Sequence, residues 1–143
     1  MADVAVSIRT YLLTKTGVTD LVGTRIYTDI LPQGVTLPAI AYSKTSTVPD
    51  HTLGNLAGVS HCRLQFDCYA NAATGGRAKA NDIAEAIRAT GICAIRGTYT
   101  SVFICGVELE SGQRNSIEYA EDDSDDHRYV TSFDLMVHYT ETI

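Results

Sequence analysis

The sequence predicts an α+β domain: a mainly antiparallel β-sheet packed against two helices, with one long β-hairpin arm. Three patterns carry this expectation. Residues 59–70 alternate, with Cys62, Leu64, Phe66 and Cys68 toward one side and His61, Arg63, Gln65 and Asp67 toward the other. Such alternation marks a half-buried strand. Soon after, Ala80, Ile83, Ala84 and Ile87 recur at helical spacing, while Arg77, Lys79, Asp82, Glu85 and Arg88 fall on the solvent side. The closing stretch from His127 to Tyr139 alternates again, with Tyr129, Phe133, Leu135 and Val137 on one face.

The remaining elements follow in order. Asp3 is placed to cap a helix running to about Lys15, with Val4, Ile8, Leu12 and Tyr11 as its apolar stripe and Gly17 as its end. Thr19 to Gly23 reads as one more helical turn or a tight bend, followed by a short extended piece, Thr24 to Tyr27. Pro32, Gly34 and Pro38 exclude a helix from the next dozen residues. Ala39 to Val48, rich in β-branched residues and tyrosine, is a strand; Pro49 to Gly58 reads as a surface loop. The second helix takes Thr74 as its cap and Gly91 as its terminator. Its alanines suit close packing on a flat partner, the sheet. Strands are expected at Thr98–Glu110 and Ser116–Tyr119, then the turn Glu121-Asp122-Asp123-Ser124-Asp125-Asp126. The last strand, at thirteen residues, would reach about 43 Å. A strand of that length is expected to outrun its own domain as half of a protruding hairpin tipped by the acidic turn.

The 143 residues suit one domain spanning 1–143, and a 45% hydrophobic, 20% charged composition excludes a disordered chain. No apolar run reaches the roughly 18–20 residues of a bilayer span, so no membrane partner is expected. An acid at position 3 and no following apolar stretch give no support to export. A formal net charge of −6 is the wrong sign for a general nucleic-acid binder. Cys62 and Cys68, six residues apart on one strand, are separated by about 20 Å and cannot bond each other. With Cys93 and Cys105 they are expected to be reduced thiols. Neither a metal nor a cofactor is expected: Cys and His lack zinc spacing, and nucleophile-elbow, H-E-x-x-H, Walker and G-x-G-x-x-G motifs are all missing. Gly75-Gly76 is a permissive start to a helix rather than a phosphate cradle. Counted from Asp122, the EF-hand positions requiring Gly and Glu hold His127 and Phe133, so the acidic turn is a solvated charge run.

In order and spacing, the whole chain resembles the tail-completion family of tailed bacteriophages, whose members include tail terminators. The carrying segments are the amino-terminal helix, Val22-Gly23-Thr24-Arg25-Ile26-Tyr27, and Leu37-Pro38-Ala39-Ile40-Ala41-Tyr42. Arg63 to Ala70, the following helix and Tyr129 to Val137 complete them. The resemblance implies a structural, non-enzymatic protein that forms a homo-oligomer, a hexameric ring. Such a ring caps the tail tube, stops its polymerisation and provides the head–tail joining surface. The implied partners are the tail tube protein and a head-completion or connector protein, with DNA only passing through the lumen. The implied place is the virion's tail–neck junction, after assembly in the host cytoplasm. On the arm, Glu121, Asp122, Asp123, Asp125 and Asp126, with Arg128, Val130 and Met136 on the returning strand, are the candidate subunit or partner interface. The alternatives are another head–tail connector, such as a head-closure protein, or a small-ligand module or enzyme using His61, Arg63 and Asp67.

Overall fold

The computed structural model describes residues 4–29, 31, 35–52, 55–71, 75–90, 92, 97–99, 102–118 and 127–140. Its elements are α1 (Val4–Leu13), α2 (Thr16–Val22), β1 (Ile26–Thr28), β2 (Ala39–Thr52), β3 (Asn55–Asn71), α3 (Gly76–Ala89), β4 (Gly97–Tyr99), β5 (Val102–Glu118) and β6 (Arg128–Thr140). The strands form one sheet in the order β1-β2-β3-β6-β5-β4. Among the described residues only the β1–β2 pair is parallel, and the other neighbours are antiparallel. The α+β expectation is met, with a third helix where one extra turn or a bend was expected.

The alternating patterns explain the layers. Cys62, Leu64, Phe66 and Cys68 on β3 and Phe133, Leu135 and Val137 on β6 are fully buried. They face α3, whose buried stripe is Ala80, Ile83, Ala84 and Ile87. Phe66 opposes Phe133 in the ladder, and their rings stack at 5.4 Å with planes 12° apart. Tyr42 of β2 adds a third ring 6.0 Å from Phe66. Small alanines let the helix axis lie close to this aromatic floor. Around it, Ile8 and Leu12 of α1, Val18 and Val22 of α2 and Ile26 of β1 extend the same core. Arg9 Nε donates to the Ile26 carbonyl at 2.9 Å, fastening α1 to the short edge strand.

Several boundaries differ from the sequence expectation. Gly17 lies in the first turn of α2. It is Thr14 that closes α1, its hydroxyl donating to the Tyr11 carbonyl at 2.6 Å. The loop expected over Pro49–Gly58 is mostly strand: β2 continues to Thr52 and β3 begins at Asn55. Proline is tolerated there because β1 pairs β2 only at Ile40–Tyr42, so Pro49 lies on a sheet edge where no outward N–H is needed. The α3 N-cap is Gly75, at φ +113°, with no side-chain cap; Thr74 lies outside the described residues, as do Asp3, Gly91 and Cys93. Gly76 follows at φ +58°, and a Cβ there would meet the Tyr129 ring at 3.6 Å. The glycine pair thus turns the chain sharply into the helix.

The two strands expected at Thr98–Glu110 and Ser116–Tyr119 become the short β4 and one continuous β5, whose register shifts near Ser111 absorb the irregular middle. The long β5–β6 hairpin is present, yet β6 does not outrun the sheet. Every residue from Arg128 to Thr140 pairs with β3, and β5 flanks its other side. A strand paired on both sides can be long without protruding. The segment that runs past its neighbour is the β2–β3 hairpin, since β3 starts at Asn55 but pairs with β6 only from Val59.

Candidate interface

The face of β3, β6 and β5 turned away from the helices carries a connected polar surface. Its centre is Asp134 of β6, 8% exposed. Arg114 Nη2 of β5 donates to Asp134 Oδ1 at 3.0 Å, and Arg63 Nε of β3 lies 3.2 Å from Oδ2. One strand pair along, Asp67 Oδ1 accepts from Ser132 Oγ at 2.6 Å and from Gln65 Nε2 at 3.1 Å. At the other end His61 and His138 oppose each other with ring centres 5.6 Å apart, and His138 Nε2 is 3.4 Å from Glu108 Oε1. Alternation places the β3 and β6 groups on one side of the sheet, because they lie an even number of residues apart on each strand. The register brings Glu108 and Arg114 of β5 beside them.

The electrostatics follow from this packing. Two guanidinium groups flank the Asp134 carboxylate, so the burial that would otherwise penalise its charge is compensated. Burial, reinforced by the Asp67 carboxylate, pushes the Tyr69 hydroxyl up to about 12. On the opposite face burial raises the Cys68 thiol far above its ordinary range, with Asp67 adding to the effect. Such a thiol stays protonated and unreactive. Cys62 is likewise buried and Cys105 is half-buried, and neither is in a disulfide.

A second set of contacts was hidden from sequence reading. Arg77, expected to face water, folds onto the sheet: Nη1 donates to the Val130 carbonyl at 2.8 Å and Nη2 to the Ser116 carbonyl at 2.7 Å. Its guanidinium carbon lies 5.4 Å from the centre of the Tyr129 ring. Asn81 joins it, with the Thr131 hydroxyl 2.8 Å from its side-chain oxygen. Thus the first turns of α3 hold β5 and β6 together by polar contacts, while the later turns bury the apolar stripe.

The acidic turn Glu121, Asp122, Asp123, Asp125 and Asp126 lies outside the described residues. Arg128 is half-buried at the start of β6, opposite Asn71 and Glu118. Val130 is 4% exposed, and Met136 is half-buried on the helix-free face between Arg63 and Glu108. The sheet does bring His61, Arg63 and Asp67 onto one face, as alternation predicted; it adds Ser132, Asp134 and Arg114, which sequence reading did not single out. The same alternation read on residues 128–140 would have found the first two, but pairing Arg114 required the register.

No three His, Cys, Asp or Glu side chains among the described residues are placed to hold a metal ion. A cleft of about 510 Å³ lies beside α3, lined by Thr14, Lys15, Thr16, Ala86, Ala89 and Thr90, and Lys15 is its one charged group. The Thr14 and Thr90 hydroxyls on its wall are turned back onto the Tyr11 and Ile87 carbonyls. What the molecule presents is a six-stranded sheet with a connected polar face.

The family comparison agrees: residues 6–90 match the model of the tail completion protein gp17 family. The chain belongs to that family, and its role is structural, in the completion of a phage tail. No curated protein matches the sequence. Among solved structures, a chain in the virion of a native gene transfer agent particle is similar over 94% of this chain and 92% of that one, with TM-score 0.65 and 15% identity. At that identity the likeness is one of fold.

Proposed function

We propose that the protein is a tail terminator: copies assemble as a hexameric ring on the end of a finished tail tube, stop its polymerisation and present the surface that joins the head. Membership of the tail-completion family over residues 6–90 carries this proposal. The mechanism is binding and geometry. A helix-backed sheet gives each copy a stiff body, and the polar face is held in one arrangement by the Arg63–Asp134–Arg114 contacts. Its partners are then the tail tube protein on one side and a head-completion or connector protein on the other, at the tail–neck junction of the virion, after assembly in the host cytoplasm. DNA passes through the ring and is not a bound ligand. The carboxylates at 121–126 belong on solvent, on a basic partner or at the lumen, where they keep phosphates from sticking.

The test is assembly without the protein. Particles made with its gene silenced are expected to carry tubes of uneven, excessive length with no heads attached, and added purified protein is expected to restore joining. Tubes of normal length bearing heads in its absence would refute the proposal.

A further inference from the structure

The sheet has two open edges, and their geometry makes them counterparts. On one side β1 covers β2 only at Ile40–Tyr42; on the other β4 covers β5 only at Val102–Ile104. Among the described residues, no strand pairs with the outer side of β2 from Ser43 to Thr52 or of β5 from Cys105 to Glu118. Open edges of this length are templates for another strand.

We infer that these two edges are the two halves of one interface and that the occupant of each is a second copy of this chain: the outer edge of β2 pairs with the outer edge of β5 in the next copy. This deepens the ring proposed above and rests on it. Three features carry it.

The polarity fits, because β2, β3, β6 and β5 alternate in direction, leaving β2 and β5 antiparallel. Copies rotated about an axis along the strands therefore meet as an antiparallel pair, and the alternation continues across the boundary.

The heights fit as well. One row of the sheet runs Ser43–Gln65–Asp134–Ser111 and another runs Val48–His61–His138–Gly106, so the open stretches share the rows of Ser43–Val48 and Gly106–Ser111.

The chemistry fits in turn. Leu109, in the shared rows of β5, is 42% exposed, unusual for an apolar side chain on an edge. In the row Lys44–Leu64–Leu135–Leu109, the exposed Lys44 of one copy lies beside Leu109 of the next, where its methylene stem covers the leucine. On the helix-free face, the neighbouring row sets the exposed Ser46 hydroxyl beside the exposed carboxylate of Glu108. Pairing β5 with β5 would instead set Glu108 and Glu118 against their own kind and leave β2 open. A β2-to-β5 contact is heterologous, the type that closes rings.

The experiment disables one edge at a time. L109K blocks β5 and leaves β2 intact; S43E/K44E blocks β2 and leaves β5 intact. Each is first checked for wild-type circular dichroism. In sedimentation at rising concentration, wild-type protein is expected to form species larger than a dimer, and each variant alone a monomer. Mixed one to one, the two variants are expected to stop at a heterodimer, since only one live edge of each kind remains. Variants that assemble like wild type, a variant that dimerises by itself, or a wild type that stays monomeric would each overturn the inference. If a charged variant fails to fold, K44C and L109C in a Cys105→Ser background replace it: a mixed disulfide between the two is expected on oxidation, and its absence refutes the pairing. The ring proposal fails separately, when wild-type protein leaves tail tubes without caps.

Discussion

The two faces of β3 and β6 are built from the same two strands, yet they do opposite work. Toward the helices, Leu64, Phe66, Phe133 and Leu135 are wholly excluded from water and hold the fold by burial. Away from them, Arg63, Asp67, Ser132 and Asp134 hold one another by hydrogen bonds and ion pairs. Exchanging protein–water for protein–protein hydrogen bonds contributes little net stability, about 0.5–1.5 kcal/mol each. What such contacts do is fix the positions of polar groups on a surface. The apolar face therefore explains why the protein folds, and the polar face supplies a rigid body with a defined outside.

That contrast can be broken at its strongest point by Phe66→Ala. Removing the ring from between Phe133, Tyr42 and α3 should cost about 3–5 kcal/mol in urea unfolding. A cost under about 1 kcal/mol would mean that the stacked rings are not the core. Next in size, Arg77→Ala strips two carbonyl contacts, one half-buried and one exposed, and the Tyr129 contact, for an expected loss of about 1–2 kcal/mol. Lysine, a point donor, should recover less than half of it.

On the polar face the effects should be no larger. Asp134→Ala is expected to cost about 1–2 kcal/mol, because Arg63 and Arg114 are half-exposed and can turn to water. A double-mutant cycle with Arg114→Ala should show coupling of about 1 kcal/mol; zero coupling would mean that the pair is ornamental. At alkaline pH the two faces act together. Cys68 and Tyr69 have folded pKa values raised above their ordinary 9.0 and 10.0, so the unfolded chain releases these protons first. Stability should be full below about pH 9 and fall as pH rises toward 12. Cys68→Ala and Tyr69→Phe should each flatten that slope, and an unchanged slope would contradict the burial of both groups. Smallest of all, replacing Asp122, Asp123, Asp125 and Asp126 with Asn should shift unfolding by no more than about 0.5 kcal/mol. A gain in melting temperature on adding calcium, present in the wild type and absent in that variant, would instead mark a specific ion site.

Much of the fold was legible in the sequence because its periodicity is strong. Alternation on 59–70 and 127–139 gave both central strands with the correct faces, and the helical stripe from Ala80 to Ile87 gave α3. Turn chemistry misled where tertiary context decides. Pro49 reads as a loop residue, but on an uncovered edge it continues β2. Arg77 reads as a solvent-facing charge, but two carbonyls of β5 and β6 lie within its reach. Long-range register was the other barrier: nothing local to residue 114 announces that it meets Asp134, and the openness of both sheet edges is a property of strand order. The family relation was carried by the order of segments, and residues 6–90 hold most of those that persuade.

The proposed function has this protein end a tail by seating a ring on it. The most direct measurement is electron microscopy of purified protein mixed with tail tubes, with rotational averaging of the tube tips. A closed ring on one end of each tube, and no further growth when tube protein is added, is the expected result. Bare tips that continue to elongate in saturating protein would contradict it.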